Sequence, residues 1–305
     1  MRWVLIIALA AGAARAGDND LELWRLGHPD PLTCTRCDGK PGDVGEPGDA
    51  NAQPRFHRLA STLGLAFAPP FEETAGTLGQ AGFEVGVSSS EAFLKMSPDA
   101  WPTRAAAPPS VLTLPAVTAR KGLGGSFELG FAVSWLAGSQ MMAVSAELRW
   151  ALLDGVAFAP DLAVRGWATR VIGTQDLDLA LGGVDAQVSK SFGVAGMLKL
   201  QPYLRGGLAM VNAQSAVVNF KPSVVNPANP TAQDGVFHNI NFQDNRFLRA
   251  ALGFRMVAGV VVLGAEGGVA WGSNATQGGT LTGGGAPPTN YVRVWNATGH
   301  LGFAF

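Results

Sequence analysis

The stretch that decides the fold is Phe127-Glu128-Leu129-Gly130-Phe131-Ala132-Val133-Ser134-Trp135. Every second residue, starting with Phe127, is large and apolar, and the residues between them are small or polar. Successive side chains of a β-strand point to opposite faces, so this alternation is typical of a strand with two different environments. We therefore predict a strand here, with one apolar face and one polar face.

The same alternation recurs along the chain, and charged residues fall on one face only. Two less regular strands are expected at about Val156 to Val171 and Asp176 to Lys190. In the second, the pair Gly182-Gly183 predicts a bulge or a place where side chains crowd. The other repeats of the pattern lie at Met142 to Trp150, Leu198 to Leu208, Leu248 to Met256 and Val261 to Trp271.

The composition favours a membrane barrel over a soluble domain. Apolar residues make up 47% of the chain, and charged residues only 15%, against about 25% in soluble proteins. A transmembrane barrel spreads its apolar belt over many strands in which every second side chain faces a polar interior. Lys plus Arg total 22 and Asp plus Glu total 23, so no basic excess points to nucleic acid as a partner.

The first sixteen residues have the layout of a secretory signal peptide. Arg2 supplies a positive charge, an apolar run extends from Trp3 to Gly12, and Ala14-Arg15-Ala16 has the small-x-small form of a cleavage site. We predict a signal peptide over residues 1–16 and a mature chain from Gly17.

Residues 17–58 are rich in Gly, Pro, Asp and Asn and predict an extended or disordered N-terminal periplasmic segment. It holds the chain's two cysteines, Cys34 and Cys37, for which a disulfide is expected in an exported protein. Together with His28 and His57 these cysteines match no recognised zinc spacing, so no metal site is predicted.

Residues 59–121 are expected to hold two weak strands, around Leu59 to Ala68 and Leu78 to Ser88. The prolines of Ser89 to Lys121 then predict a long connection, because proline removes donors from a β-ladder. The barrel is predicted over residues 122–305 with about eight strands, and ten is the alternative if the weak strands join the wall.

The end of the chain resembles the insertion signal of bacterial outer-membrane β-barrel proteins. A terminal phenylalanine follows a strand with aromatic residues at alternate positions, although Arg293 lies on the same face. The residues that carry this resemblance are Tyr291, Trp295, Leu301, Phe303 and Phe305. It implies an all-β, transmembrane antiparallel β-barrel in the bacterial outer membrane, with outer-membrane lipids and the barrel-assembly machinery as partners.

No catalytic constellation or cofactor motif is found, so neither an enzyme nor a cofactor is predicted. The functional candidates are charges expected to line the lumen, either pairing to fill it or lining a narrow path for small solutes. They are Glu128, Glu147, Arg149, Asp161, Arg165, Asp176, Asp178, Lys199, Arg205, Arg249, Arg255 and Glu266. The predicted function is a structural or adhesive outer-membrane barrel or a narrow channel. The alternative is a soluble secreted β-sandwich that binds a ligand.

Overall fold

The computed structural model describes residues 17–29, 49, 51–69, 74–95, 100–103, 109–156, 158–194, 198–223, 234–274 and 291–305. One antiparallel sheet of ten long strands closes on itself to form a barrel. These strands are β1 (Phe83–Phe93), β2 (Val111–Gly122), β3 (Phe127–Trp135), β4 (Met142–Leu153), β5 (Asp161–Ile172), β6 (Leu177–Ser189), β8 (Leu198–Ser215), β11 (Asn245–Ala258), β12 (Val261–Asn274) and β13 (Tyr291–Ala304).

Closure joins the first long strand to the last. β1 pairs with β13 from Glu84 opposite Ala304 to Phe93 opposite Trp295, and the remaining long strands pair in chain order around the wall. The prediction of an antiparallel β-barrel is confirmed. A β-sandwich would need two stacked sheets, and the long strands form a single closed one.

Three short strands lie beside the barrel. β7 (Phe192–Val194) folds back onto β8, and β9 (Val218–Asn219) pairs with β10 (Asp234–Gly235) in a small ribbon. Short 3-10 segments lie at Leu23–Leu26 and Gly124–Ser126. No helix among the described residues has the length and apolar character needed to cross a membrane.

The expected count of eight strands is wrong, because β1 and β2 complete a wall of ten. The long connection predicted from the prolines of Ser89 to Lys121 is wrong, because this range contains most of β2. Pro115 lies within β2 opposite Ser89, but β3 pairs with β2 only from Ala116 onward. Pro115 therefore lies just beyond the end of the β2–β3 ladder rather than inside it.

The two ends of the barrel differ in their connections. We call the end that holds Phe305 the C-terminal end and the opposite one the loop end. Connections at the C-terminal end include the two-residue turn Gly259-Val260, where Gly259 has a φ of 60°. The longest connections lie at the loop end and include residues 94–110 and 216–244.

Residues 59–68 do not form a strand, and residues 52–58 are not extended. Helix α1 spans Ala52–Ala66, and Phe67 and Ala68 follow its end. Phe56, Leu59, Ala60 and Leu63 recur at helical spacing on one face. Pro54 lies in the first turn, where a missing N–H costs no internal hydrogen bond. The periodicity of two assumed for Leu59 to Ala68 was therefore the wrong period.

Candidate functional site

The lumen is the candidate functional site, and residues 51–69, which we call the plug, occupy the half of it nearest the loop end. Helix α1 contacts β6, β8, β12 and β13. Phe56, Leu59 and Leu63 on the helix are completely buried. Gly64 marks the closest approach to the wall, because a Cβ there would lie 3.0 Å from Leu181 and 3.2 Å from Val211.

Loop residues hold the plug at the loop end. The side chain of Gln53 donates to the backbone oxygen of His238 and accepts from its N–H, both at 2.9 Å. Phe56 stacks on Phe237 with 4.6 Å between ring centroids, and Phe237 meets Phe220 edge-on at 5.6 Å. The plug is therefore sealed by the connection between β8 and β11 as well as by the wall.

A layer of buried charges crosses the lumen below the plug, near the middle of the barrel. Arg165 donates from Nε to Asp185 at 3.1 Å and pairs with Glu147 at 3.1 Å. Arg205 pairs with Glu266, which also accepts from the hydroxyl of Tyr203 at 2.9 Å. We call these groups, with Arg249, the middle layer.

Arg249 links the middle layer to an aromatic ring. Its guanidinium lies 4.9 Å from the centre of the Trp167 ring and 3.7 Å from Asp185. Trp167 points inward because Gly183 on the neighbouring strand leaves room for it. A Cβ on Gly183 would lie 2.4 Å from the indole. The predicted crowding at Gly182-Gly183 thus has a physical cause, and the strand register continues there without a bulge.

A second layer of buried charges lies toward the C-terminal end, and we call it the lower layer. Arg120 pairs with Glu84 at 2.5 Å and with Glu128 at 3.1 Å. Glu128 also accepts from Arg149 at 2.6 Å. The same Glu84 pairs with Arg255. Charges withdrawn from water need such partners, because removing one leaves the other desolvated and uncompensated.

The remaining space inside the barrel is small at the level of the middle layer. A cavity of about 20 Å³ lies between Ala68 and Pro69 of the plug and Arg205, Arg249 and Glu266. That volume holds about one water molecule. A wider cavity of about 240 Å³ opens at the C-terminal end, where Lys190, Lys199 and Asp154 contribute to its lining.

Nine of the twelve predicted lumen residues lie inside the wall, and all nine are buried or nearly so. Their part in transport or closure stays a prediction. These nine are Glu128, Glu147, Arg149, Asp161, Arg165, Arg205, Arg249, Arg255 and Glu266.

The other three predicted residues lie elsewhere. Asp178 is on the outward face of β6 with its side chain 48% exposed, pairing with Arg170 at 2.6 Å. The prediction reversed the faces of β6, because here the leucines turn inward onto the plug. Asp176 lies in the β5–β6 connection, where burial raises the pKa of its carboxyl. Lys199 is exposed at the rim of the wide cavity.

Sequence analysis missed several groups of the site. Glu84 and Arg120 went unnoticed because their strands were set aside as too weak or too rich in proline. Asp185 and Trp167 were missed because the alternation of strands β5 and β6 was difficult to follow. The helical spacing of Phe56, Leu59 and Leu63 is the signal that would have revealed the plug.

One titratable group of the plug lies at the loop end, beside connection residues His238 and Asp244. Burial lowers the pKa of His57 to about 4, an effect that the charge of Asp244 opposes and that of His238 reinforces. Neutral His57 therefore fits this position, and protonated His57 does not.

The predicted insertion residues face outward. Tyr291, Trp295, Leu301 and Phe303 are exposed, and Phe305 is 71% exposed. Arg293 shares their face and lies 5.6 Å from the Tyr291 ring. The predicted signal peptide and the pair Cys34 and Cys37 lie outside the described residues.

The chain is similar to several solved structures, but no protein-family model and no curated protein matches its sequence. Among solved structures, the chain is similar to the N-terminal β-barrel domain of Pseudomonas aeruginosa OprF, with 13% identity, 74% of this chain and 99% of that chain covered, and a TM-score of 0.29. The outer membrane protein OprG of the same organism shows 12% identity, coverage of 76% and 99%, and a TM-score of 0.27.

The translocator domain of the autotransporter NalP from Neisseria meningitidis is a third similar structure. It shows 12% identity, with 84% of this chain and 96% of that chain covered, and a TM-score of 0.31. OprF and OprG are bacterial outer-membrane β-barrels, the class that the end of the sequence resembles.

Proposed function

We propose that this chain is a bacterial outer-membrane barrel whose lumen is closed by its own N-terminal plug, and that it serves a structural or adhesive role. The observation that carries the proposal is the complete burial of Phe56, Leu59 and Leu63 inside the barrel. A helix seated there occupies the space that a solute would need.

The outward face of the wall supports a membrane location. Large apolar side chains cover it on strand after strand, with Leu204 59% exposed and Leu252 66% exposed. Soluble monomers rarely expose a continuous apolar surface of this extent, whereas lipid requires one. Closure of the sheet also suits a lipid environment. Lipid contains no water to form hydrogen bonds with a free strand edge, and a closed sheet has no such edge.

The middle and lower layers of buried charges stabilise the wall, and they also support the proposal that the lumen is closed. Each guanidinium of the middle layer pairs with a carboxylate one or two strands away, so these buried charges neutralise one another on the inner face beneath the plug. A barrel closed in this way offers its loop-end connections as its functional surface. We infer an adhesive or anchoring role for that surface, and we propose no enzymatic activity.

Conductance across a planar lipid bilayer tests the closed lumen. The refolded mature chain should insert, as shown by different gel mobility before and after boiling, and should give no discrete conductance steps. A plug-loosening variant, Phe56→Ser with Leu63→Ser, should give steps, and Phe158→Ser in an exposed turn is the matched control.

Steps from the unaltered chain at the same frequency as from the plug variant would overturn the closed-lumen proposal and favour a narrow channel. Release of the protein by carbonate extraction of membranes would overturn the membrane location itself.

A further inference from the structure

The number of strands fixes where the chain should enter the barrel. Ten strands place the start of β1 and the end of β13 at the same end, and the N–H of Phe83 donates to the carbonyl of Phe305 at 3.0 Å. A segment that simply preceded the barrel would therefore lie at the C-terminal end.

Residues 17–29 lie at the opposite end instead. The N–H of Asn19 donates to the carbonyl of Gly138 at 3.1 Å, and the N–H of Glu22 donates to that of Pro102 at 2.7 Å. Both acceptors belong to loop-end connections. The carboxylate of Asp20 adds a contact there, accepting from the Ser139 hydroxyl at 2.7 Å.

The chain can be followed between the two ends by its contacts at successive depths. At the loop end Gln53 binds His238, and deeper in the lumen Gly64 packs on Leu181 and Val211. Ala68 and Pro69 then reach the middle layer.

The next described residues continue the path through the lower part of the barrel. The carbonyl of Thr74 accepts from Arg149 of the lower layer, and the N–H of Leu78 donates to Glu128 at 3.1 Å. The carbonyl of Gly82 accepts from the N–H of Gly122 at 3.0 Å, at the C-terminal rim. Pro69 and Thr74 both contact inward-facing groups, so both of these described residues lie inside the wall.

We infer that this chain passes through its own barrel and presents its N-terminal side on the outer surface of the cell. The inference rests on the proposed outer-membrane location, in which the C-terminal end faces the periplasm. It replaces the expectation of a periplasmic N-terminal segment. The barrel then acts as a holder that displays its own N-terminal side together with the loop-end connections.

Labelling of single cysteines in intact cells tests the inference. In a full-length chain with Cys34→Ser and Cys37→Ser, one cysteine is introduced at Asp18, at Gln243 in the β8–β11 connection, or at Gln80 near the C-terminal rim. All three positions are exposed. A membrane-impermeant maleimide is applied to intact and to permeabilised cells, and gel mobility before and after boiling confirms that each variant folds.

We expect Asp18→Cys and Gln243→Cys to be labelled in intact cells, and Gln80→Cys only after permeabilisation. Labelling of Gln243→Cys without Asp18→Cys would overturn the passage through the barrel while leaving the membrane orientation intact. Labelling of Gln80→Cys alone in intact cells would instead overturn the orientation on which the proposed function depends.

Discussion

The two halves of the lumen are closed by different physical means. Toward the loop end, apolar wall residues such as Leu181 and Val211 pack on an apolar helix. Toward the C-terminal end, carboxylates and guanidinium groups of neighbouring strands pair on the inner face of the wall. The first half is closed by a segment that the wall does not contain. The second is filled by charged side chains of the wall, which also bind Thr74 and Leu78, so the two should respond differently to mutation.

The largest expected fall in stability follows from removing a charged side chain from the charged half of the lumen. Arg165→Met leaves Asp185 and Glu147 buried without this partner, and such losses cost about 3–5 kcal/mol. Urea unfolding of the refolded barrel in detergent, followed by gel mobility, should show a large fall in the free energy of unfolding. An unchanged midpoint would mean that the middle layer does not hold the wall.

In the apolar half, a mutation in the plug should lower the free energy of unfolding by a similar amount, but only for the plug. Phe56→Ala removes a buried ring that stacks on Phe237, and such changes cost about 3–5 kcal/mol. Hydrogen exchange should speed up in α1 while the strands keep their protection. Equal acceleration in the strands would show that plug and wall unfold as one unit.

Docking of the plug in the apolar half of the lumen should also depend on pH. The pKa of His57 is about 4 with the plug docked and should be near 6.5 once the plug is released. Docking is then strongest above pH 6.5 and weakens as the pH falls toward 4, by about 3 kcal/mol in total. Conductance steps across a bilayer should therefore appear when the pH is lowered. They should be fewer in the His57→Asn protein. Identical pH profiles for the two proteins would contradict this role of His57.

The smallest effect is expected outside the barrel. Arg170 lies on the same strand as Arg165, but its pair with Asp178 is exposed to solvent. Exposed pairs contribute about 0–1 kcal/mol. Arg170→Met should therefore barely shift the urea midpoint, which makes it the matched control for Arg165→Met. A shift as large as that of Arg165→Met would remove the distinction between buried and exposed pairs.

Sequence periodicity predicts the wall better than it predicts the interior. The alternation in Phe127–Trp135 is clear because lipid requires apolar residues at every second position. On the inner face of the barrel, by contrast, the groups that a side chain contacts change with its depth in the lumen. Asp178 faces outward since its neighbours Leu177 and Leu179 turn inward to the plug half, and no local pattern announces that change. Contacts such as Glu84 with Arg255 join strands far apart in sequence, so their pairing depends on closure of the sheet.

The most direct test of the plug is a disulfide between helix and wall. Gly64→Cys and Val211→Cys, in the chain with Cys34→Ser and Cys37→Ser, place two thiols where the structure brings the helix against the inner face. Val188, which is exposed on the outer face of β6, supplies the control partner. After mild oxidation and alkylation, intact mass should show the cross-link in the 64/211 protein and free thiols in the 64/188 protein. Free thiols in both would contradict a lumen filled by helix α1.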